Sequence, residues 1–271
     1  MLDAIYFEIF PIGFKRKVRP HPMPLPPESD SGDDHRRMFP ETRWTLIHRA
    51  RQAGEVGEVA IDELCRRYWY PLYAFLRGRG CSKEEAEDVT QAFFAMLLRQ
   101  GIFQLADAGR GRLRSLLLTA LKNFHSNWDR NAHAQKRGGG RELVSIDVDD
   151  AEERYLVQTA DSRDPESIYL TAWARTLIEQ ARERLREAYQ HSPRPDVAAA
   201  LDPYLDPDED RVPYREFAER FSMREAALRL QVFRLRQKLG DLLREEVRQT
   251  VDTPEEITNE LNWLKQLLTA E

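Results

Sequence analysis

Apolar residues recur at helical spacing along almost the whole chain, and only 143–146 could pass for a strand. In 59–77, Leu64, Tyr68, Leu72, Phe75 and Leu76 share one side, and Pro71 within the run is expected to kink or split that helix. Ser82 opens the next helix as an N-cap, with Glu85 in the capping-box position. Its stripe is Ala86, Val89, Phe93, Met96 and Leu97, and Gly101 stops it. A helix over 112–133 carries Leu113, Leu116, Leu117, Ala120, Leu121 and Phe124 on its apolar face, ahead of Gly138, Gly139 and Gly140. Asp164 followed by Pro165 starts a long helix to about Tyr189, with Trp173, Leu177, Ala181 and Leu185 inward. Residues 213–239 read as two helices about a short turn. Thr253 and Pro254 open a terminal helix carrying Ile257, Leu261, Leu264 and Leu268. A short helix over 42–51 holds Trp44, Ile47 and Ala50 on one side. The fold class is all-α.

Composition divides these helices into blocks. Residues 18–35 are rich in Pro, Ser and Asp and lack periodicity, so 1–38 is expected to be a disordered tail. Met38 stands just before the ordered part, which raises the hypothesis that residues 1–37 lie outside the natural product. Between 147 and 166, eight acids stand against Arg154 and Arg163, and 138–164 is read as a flexible acidic linker. That gives a helical domain at 39–137, a second at 165–250 with a helix–turn–helix, and a C-terminal helix at 251–271.

The N-terminal apolar run is followed, not preceded, by Lys15, Arg16 and Lys17, the wrong polarity for a signal peptide. No stretch reaches the roughly 18 apolar residues of a spanning helix, so a cytoplasmic location without membrane insertion is expected. Two cysteines, Cys65 and Cys81, are too few for a disulfide scaffold or a cysteine-based zinc site, and inert buried thiols are expected.

The net charge of −5 argues against a nucleic-acid partner only until the charges are placed. From Arg110 to Arg141 there are eight basic residues and one acid, Asp129, with Phe124, His125, Trp128 and His133 interleaved. Cations that follow phosphates and rings that stack on bases suit single-stranded nucleic acid. The second helix of the 213–239 pair carries Arg224, Arg229, Arg234, Arg236 and Lys238 against Glu225, above a stripe of Leu228, Val232 and Leu235. A basic second helix points to phosphate or major-groove docking. Its opposite face, however, holds Ala226, Leu230 and Phe233, where base-reading helices offer polar side chains. His125, Asp129 and His133 share a helical face, so a metal site is conceivable there, but surface polar residues are the favoured reading. There is no HExxH, no phosphate-binding loop ending in Lys-Ser/Thr and no CxxC pair, so neither an enzyme nor a cofactor is expected.

These segments, in this order, resemble the extracytoplasmic-function group of bacterial RNA polymerase sigma factors, in a divergent subgroup. The most specific match is EAEDVTQAFFAMLLR at 85–99, similar to the family's core-binding helix. The resemblance implies that Glu87, Asp88, Gln91 and Phe94, the last as a partly exposed aromatic, bind core polymerase. Residues 109–130 resemble the helix that melts promoters and reads the −10 element. Asn123, Asn127, Trp128 and Arg130 are then readers, and Arg112, Arg114 and Lys122 meet phosphates. Residues 214–239 resemble the −35-binding helix–turn–helix, with Arg224, Arg229, Arg234 and Arg236 on upstream duplex. The implied partners are the polymerase core (the β′ coiled coil and the β flap), promoter DNA, and an anti-sigma factor or other regulator. The acidic linker would lie in a basic polymerase channel or hold the domains together.

The tryptophan that usually precedes the melting helix is absent; Ser115, Leu116 and Leu117 occupy that neighbourhood. Two other readings stay open. A helix–turn–helix regulator explains 214–239 but not 85–99. A sigma-derived adaptor without promoter melting fits the apolar Leu230 and Phe233.

Overall fold

The computed structural model describes residues 49–50, 52, 54–100, 112–132, 148–158, 164–205, 212–251 and 253–269. They are helical and turn segments without a strand. In chain order the elements are α1 (Glu55–Gly78), α2 (Lys83–Gln100), α3 (Leu113–Ala132), α4 (Val148–Gln158), α5 (Pro165–Gln190) and α6 (Pro195–Ala200). A 3-10 turn (Asp202–Leu205), α7 (Tyr214–Arg220), α8 (Glu225–Arg248) and α9 (Pro254–Thr269) follow. The described residues group into two compact units, and the division runs through α5 and α8: 185–241 belongs to one, and 41–184 with 242–271 to the other. No described helix is long and apolar enough to cross a membrane.

In the larger unit α1 is the central element. Every residue from Tyr68 to Leu76 is buried, so this stretch is covered on all sides rather than along one stripe. α1 packs against α2, α3 and α4, and α2 against α3. The helix continues through Pro71 and is not split there. Proline removes one backbone donor, while each large apolar side chain fully buried around it contributes about 1.5–3 kcal/mol. Gly80, at φ 91, turns the chain after α1. Gly78 lies close to α5: a Cβ there would stand 2.8 Å from Ile168 Cδ1, whose side chain would have to shift. Ser82 caps α2 as expected, its Oγ accepting from the Glu85 N–H at 3.1 Å. Asp164 likewise caps α5, its carboxylate accepting from the N–H groups of Glu166 and Ser167.

Within the span expected to be a flexible linker, 148–158 is a helix docked on α1. Arg77 grips Glu152 through Nε at 2.9 Å and Nη2 at 2.6 Å, and the Tyr73 hydroxyl donates to the same carboxylate at 2.5 Å. Arg154 lies 3.9 Å over the Tyr70 ring. One acid of this segment, Glu152, thus binds α1, and Asp149 pairs with Lys83 at the start of α2. The Arg77 hydrogen bond, aided by Tyr73, holds the Glu152 carboxyl below its ordinary value. The remainder of the linker span apart from Asp164, the tail 1–38, the strand candidate at 143–146, Gly101 and Gly138–Gly140 lie outside the described residues, as does 42–51 apart from Arg49 and Ala50, which are helical.

The other unit is built around Val197, Leu201, Tyr204, Leu205, Phe217, Leu228, Val232 and Leu235, all buried. Tyr204 sits 5.0 Å from Tyr214 and 5.4 Å from Phe217, ring centre to ring centre. Between α7 and α8 the chain reverses at Ser222, in the left-handed region at φ 51. The Met223 N–H closes the turn on the Ala218 carbonyl at 2.8 Å. This is a Schellman-type stop with serine where glycine is usual.

Candidate functional site

The capped N-terminus of α2 directs one row of side chains outward. Asp88 and Gln91 are exposed and Glu87 is half-buried. Gln91 Nε2 donates to Glu87 Oε1 at 3.0 Å, holding the amide along the helix surface. Asp88 and Gln91 are three residues apart and so neighbours on one face. Phe94 does not join them: it is only 4% exposed and meets the Phe93 ring edge-on at 6.0 Å, a core position and not the partly exposed one expected.

α3 packs beside α2. Asn123 and Asn127, one turn apart, are exposed, and Trp128 is half-buried. Phe93, Phe124 and Trp128 form a ladder with centroids 5.6 and 5.7 Å apart, fastening the indole to the core of α2. Lys122 pairs with Glu166 at the surface and lies 5.8 Å over the Phe75 ring. Arg130 belongs to α3, but its side chain lies outside the described residues.

The start of α3 departs from expectation. Arg114 is 5% exposed. Its guanidinium packs against the rings of both Trp173 (4.3 Å) and Trp263 (4.6 Å) and pairs with Glu260 of α9. Arg112 Nη1 stands 2.5 Å from the other Glu260 oxygen, charge-paired but not aligned as a hydrogen bond. Arg114 is therefore not available to phosphates as the sequence suggested, whereas Arg112, charge-paired with Glu260, stays half-exposed. A buried carboxylate persists only if cations and donors replace its hydration, and Glu260 recruits two. Burial pulls the Arg114 guanidinium below its ordinary value.

A second buried carboxylate in the same unit, Glu246 of α8, holds Arg67 of α1 at 2.7 Å and Arg184 of α5 at 2.8 Å. Burial pulls Arg67 down, but the Glu246 and Glu63 carboxylates together outweigh it and the guanidinium ends above its ordinary value.

Arg224, just before α8, and Arg234 within it are exposed. Arg229 is also exposed, pairs with Glu225 at 2.6 Å and lies 4.6 Å over the Tyr214 ring. Arg236 turns inward instead of facing solvent: it is 8% exposed and donates to the Tyr204 carbonyl through Nε (3.0 Å) and Nη2 (2.6 Å). Leu230 is 48% exposed and Phe233 36%.

His125 corrects the expectation of a surface residue. It is 7% exposed, and its Nε2 lies 3.5 Å from Cys81 Sγ. The set with His133 and Asp129 lies outside the described residues; the residues that do gather around His125 are Cys81 and Glu85. Both cysteines are buried, as expected. Burial, with Asp62 adding to it, pushes the Cys65 thiol up to about 12.

A shared signal marks the residues that were misplaced. Arg114 precedes Leu118 by four, His125 follows Leu121 by four, and Arg236 follows Val232 by four. Glu246 follows Leu242 by four, and Glu260 follows Ile257 by three. Each polar residue interrupts an apolar stripe at a core-facing position, and each is buried.

Compared with protein-family models, curated proteins and solved structures, the chain matches none.

Proposed function

We propose that the protein is a sigma-type initiation factor: it docks on core RNA polymerase through α2 and engages the opened promoter strand through α3. The observation that carries this reading is the pairing of two outward polar rows on adjacent helices of one unit, Glu87, Asp88 and Gln91 on α2 and Asn123, Asn127 and Trp128 on α3. The acids suit a basic partner surface, and the amides with the indole suit unstacked bases.

No bond is broken in this function. Opening DNA costs about 1.4 kcal/mol per stacking step. A base stacked on an aromatic ring recovers about 1–3 kcal/mol. Trp128, braced by Phe124, is the ring for that task, and Asn123 and Asn127 are the hydrogen-bonding readers. With Arg114 buried against Glu260, electrostatic attachment falls to Arg112, Arg130 and, on upstream duplex, to Arg224, Arg229 and Arg234. A second reading, an adaptor that binds polymerase without melting DNA, is favoured by one observation: α8 exposes Leu230 and Phe233 and buries Arg236.

Pull-down with core polymerase tests the first step. Asp88→Arg with Gln91→Ala alters exposed positions and is expected to abolish binding while leaving the fold intact. No binding by the unaltered chain, or binding indifferent to the double substitution, would falsify the proposal. Run-off transcription on genomic fragments separates the readings: a sigma factor yields discrete start sites, an adaptor none.

A further inference from the structure

We infer that Cys81, Glu85 and His125 form a binding site for a divalent transition-metal ion of the zinc type. The residues come from three places: the turn after α1, the first turn of α2, and the middle of α3. One ligand atom from each, Sγ, a carboxylate oxygen and a ring nitrogen, lies within 4.8 Å of the others. The decisive distance is the 3.5 Å between Cys81 Sγ and His125 Nε2. With a metal–sulfur bond of about 2.3 Å and a metal–nitrogen bond of about 2.0–2.1 Å, tetrahedral angles put sulfur and nitrogen about 3.5 Å apart. The two buried ligands already stand at that edge length, while Glu85 is exposed and rotates to complete the face.

The local hydrogen bonding leaves Glu85 in place for this role. Ser82 caps the helix through the Glu85 backbone N–H, but the hydroxyl proton goes to Glu84 Oε2 at 3.0 Å. Cys81 is held by its own backbone: its N–H donates to the Leu76 carbonyl at 3.2 Å, and its carbonyl accepts from Arg77. One sulfur, one imidazole and a single carboxylate select zinc or cobalt over magnesium or calcium, which prefer oxygen ligands. Three protein ligands leave a fourth position for water or for a ligand from a partner. The site rests on none of the residues assigned to polymerase or DNA, and it ties the start of α2 to α3.

The test uses the full chain, stripped of metal and titrated with Co(II), then with Zn(II) in competition. The expected result is one ion per chain, a thiolate-to-cobalt charge-transfer band, displacement of that band by zinc, and a raised Tm. Cys81→Ser removes the band, and Cys65→Ala leaves it. The exposed Glu85→Gln weakens binding roughly tenfold or more, the range in which even supporting residues act. A titration without a thiolate band, a band that survives Cys81→Ser, or an affinity indifferent to Glu85→Gln overturns the site and leaves a buried Cys–His hydrogen bond.

Discussion

Two arginine-rich helices read alike in sequence and differ in what their charges do. At the start of α3, Arg112 and Arg114 converge on one buried carboxylate, Glu260, and Arg114 is enclosed by Trp173 and Trp263. Of the four arginines assigned to duplex DNA at the head of α8, one, Arg236, turns inward to a backbone carbonyl, and Arg224, Arg229 and Arg234 stay out. A count of basic residues thus overstates what α3 can offer to phosphates and describes α8 better. Whether a cation is structural or available depends on its place relative to the apolar stripe, not on local charge density.

The largest expected effect comes from breaking the α3 cluster. Glu260→Ala leaves Arg114 buried and unpaired, and the chain should lose about 3–5 kcal/mol in a urea titration. Arg114→Met combined with Glu260→Leu removes both charges and should return stability to within about 1 kcal/mol of the original. A mild loss in the single variant would mean that the cluster is solvated and the contrast with α8 is lost. Next, Arg236→Ala removes both hydrogen bonds to the Tyr204 carbonyl and should cost about 1–3 kcal/mol. Arg224→Ala and Arg234→Ala should stay within about 0.5 kcal/mol of the parent. In DNA-binding titrations these two exposed positions should each lower the salt slope by about 1, whereas Arg236→Ala, at equal folded fraction, should not.

The acid response sharpens the comparison from a third direction. Glu152 has a depressed carboxyl, so its contribution is complete above the ordinary value of 4.5 and is lost as pH falls through the lower folded value. Glu152→Gln should flatten the fall in stability below about pH 4.5; an unchanged acid limb would show that the α4 contact adds nothing. The smallest effect is at Ser222, where glycine relieves the left-handed backbone at some entropic cost and should stabilise by about 0.5 kcal/mol.

The helices and their inward faces were legible because periodicity is a local signal. Leu64, Tyr68, Leu72, Phe75 and Leu76 are buried on α1, and Leu228, Val232 and Leu235 on α8. The Ser82 and Asp164 caps were equally local. What escaped was long-range. Arg114 finds Glu260 146 residues away, Arg236 finds Tyr204 32 away, and Cys81 meets His125 44 away. No spacing rule encodes those partners, although each polar residue announced itself by interrupting a stripe. Phe94 was misjudged for the opposite reason: it lies beside the stripe of α2, and tertiary packing widens the buried face to include it. In 148–158, weak periodicity hid a helix fixed by its charges, with Arg77 and Tyr73 supplying what apolar residues usually do.

The cluster of Trp173, Arg114 and Trp263 has a practical consequence. The two indoles stand 6.1 Å apart, Trp173 fully enclosed and Trp263 half-buried on α9. If α9 lifts away, Trp263 enters water, Trp173 loses that ring as a neighbour, and Arg114, which stays on α3, loses Glu260. Detachment of the last helix therefore writes itself into the intrinsic emission of the protein, so a partner that displaces α9 could be followed in real time without attaching a dye.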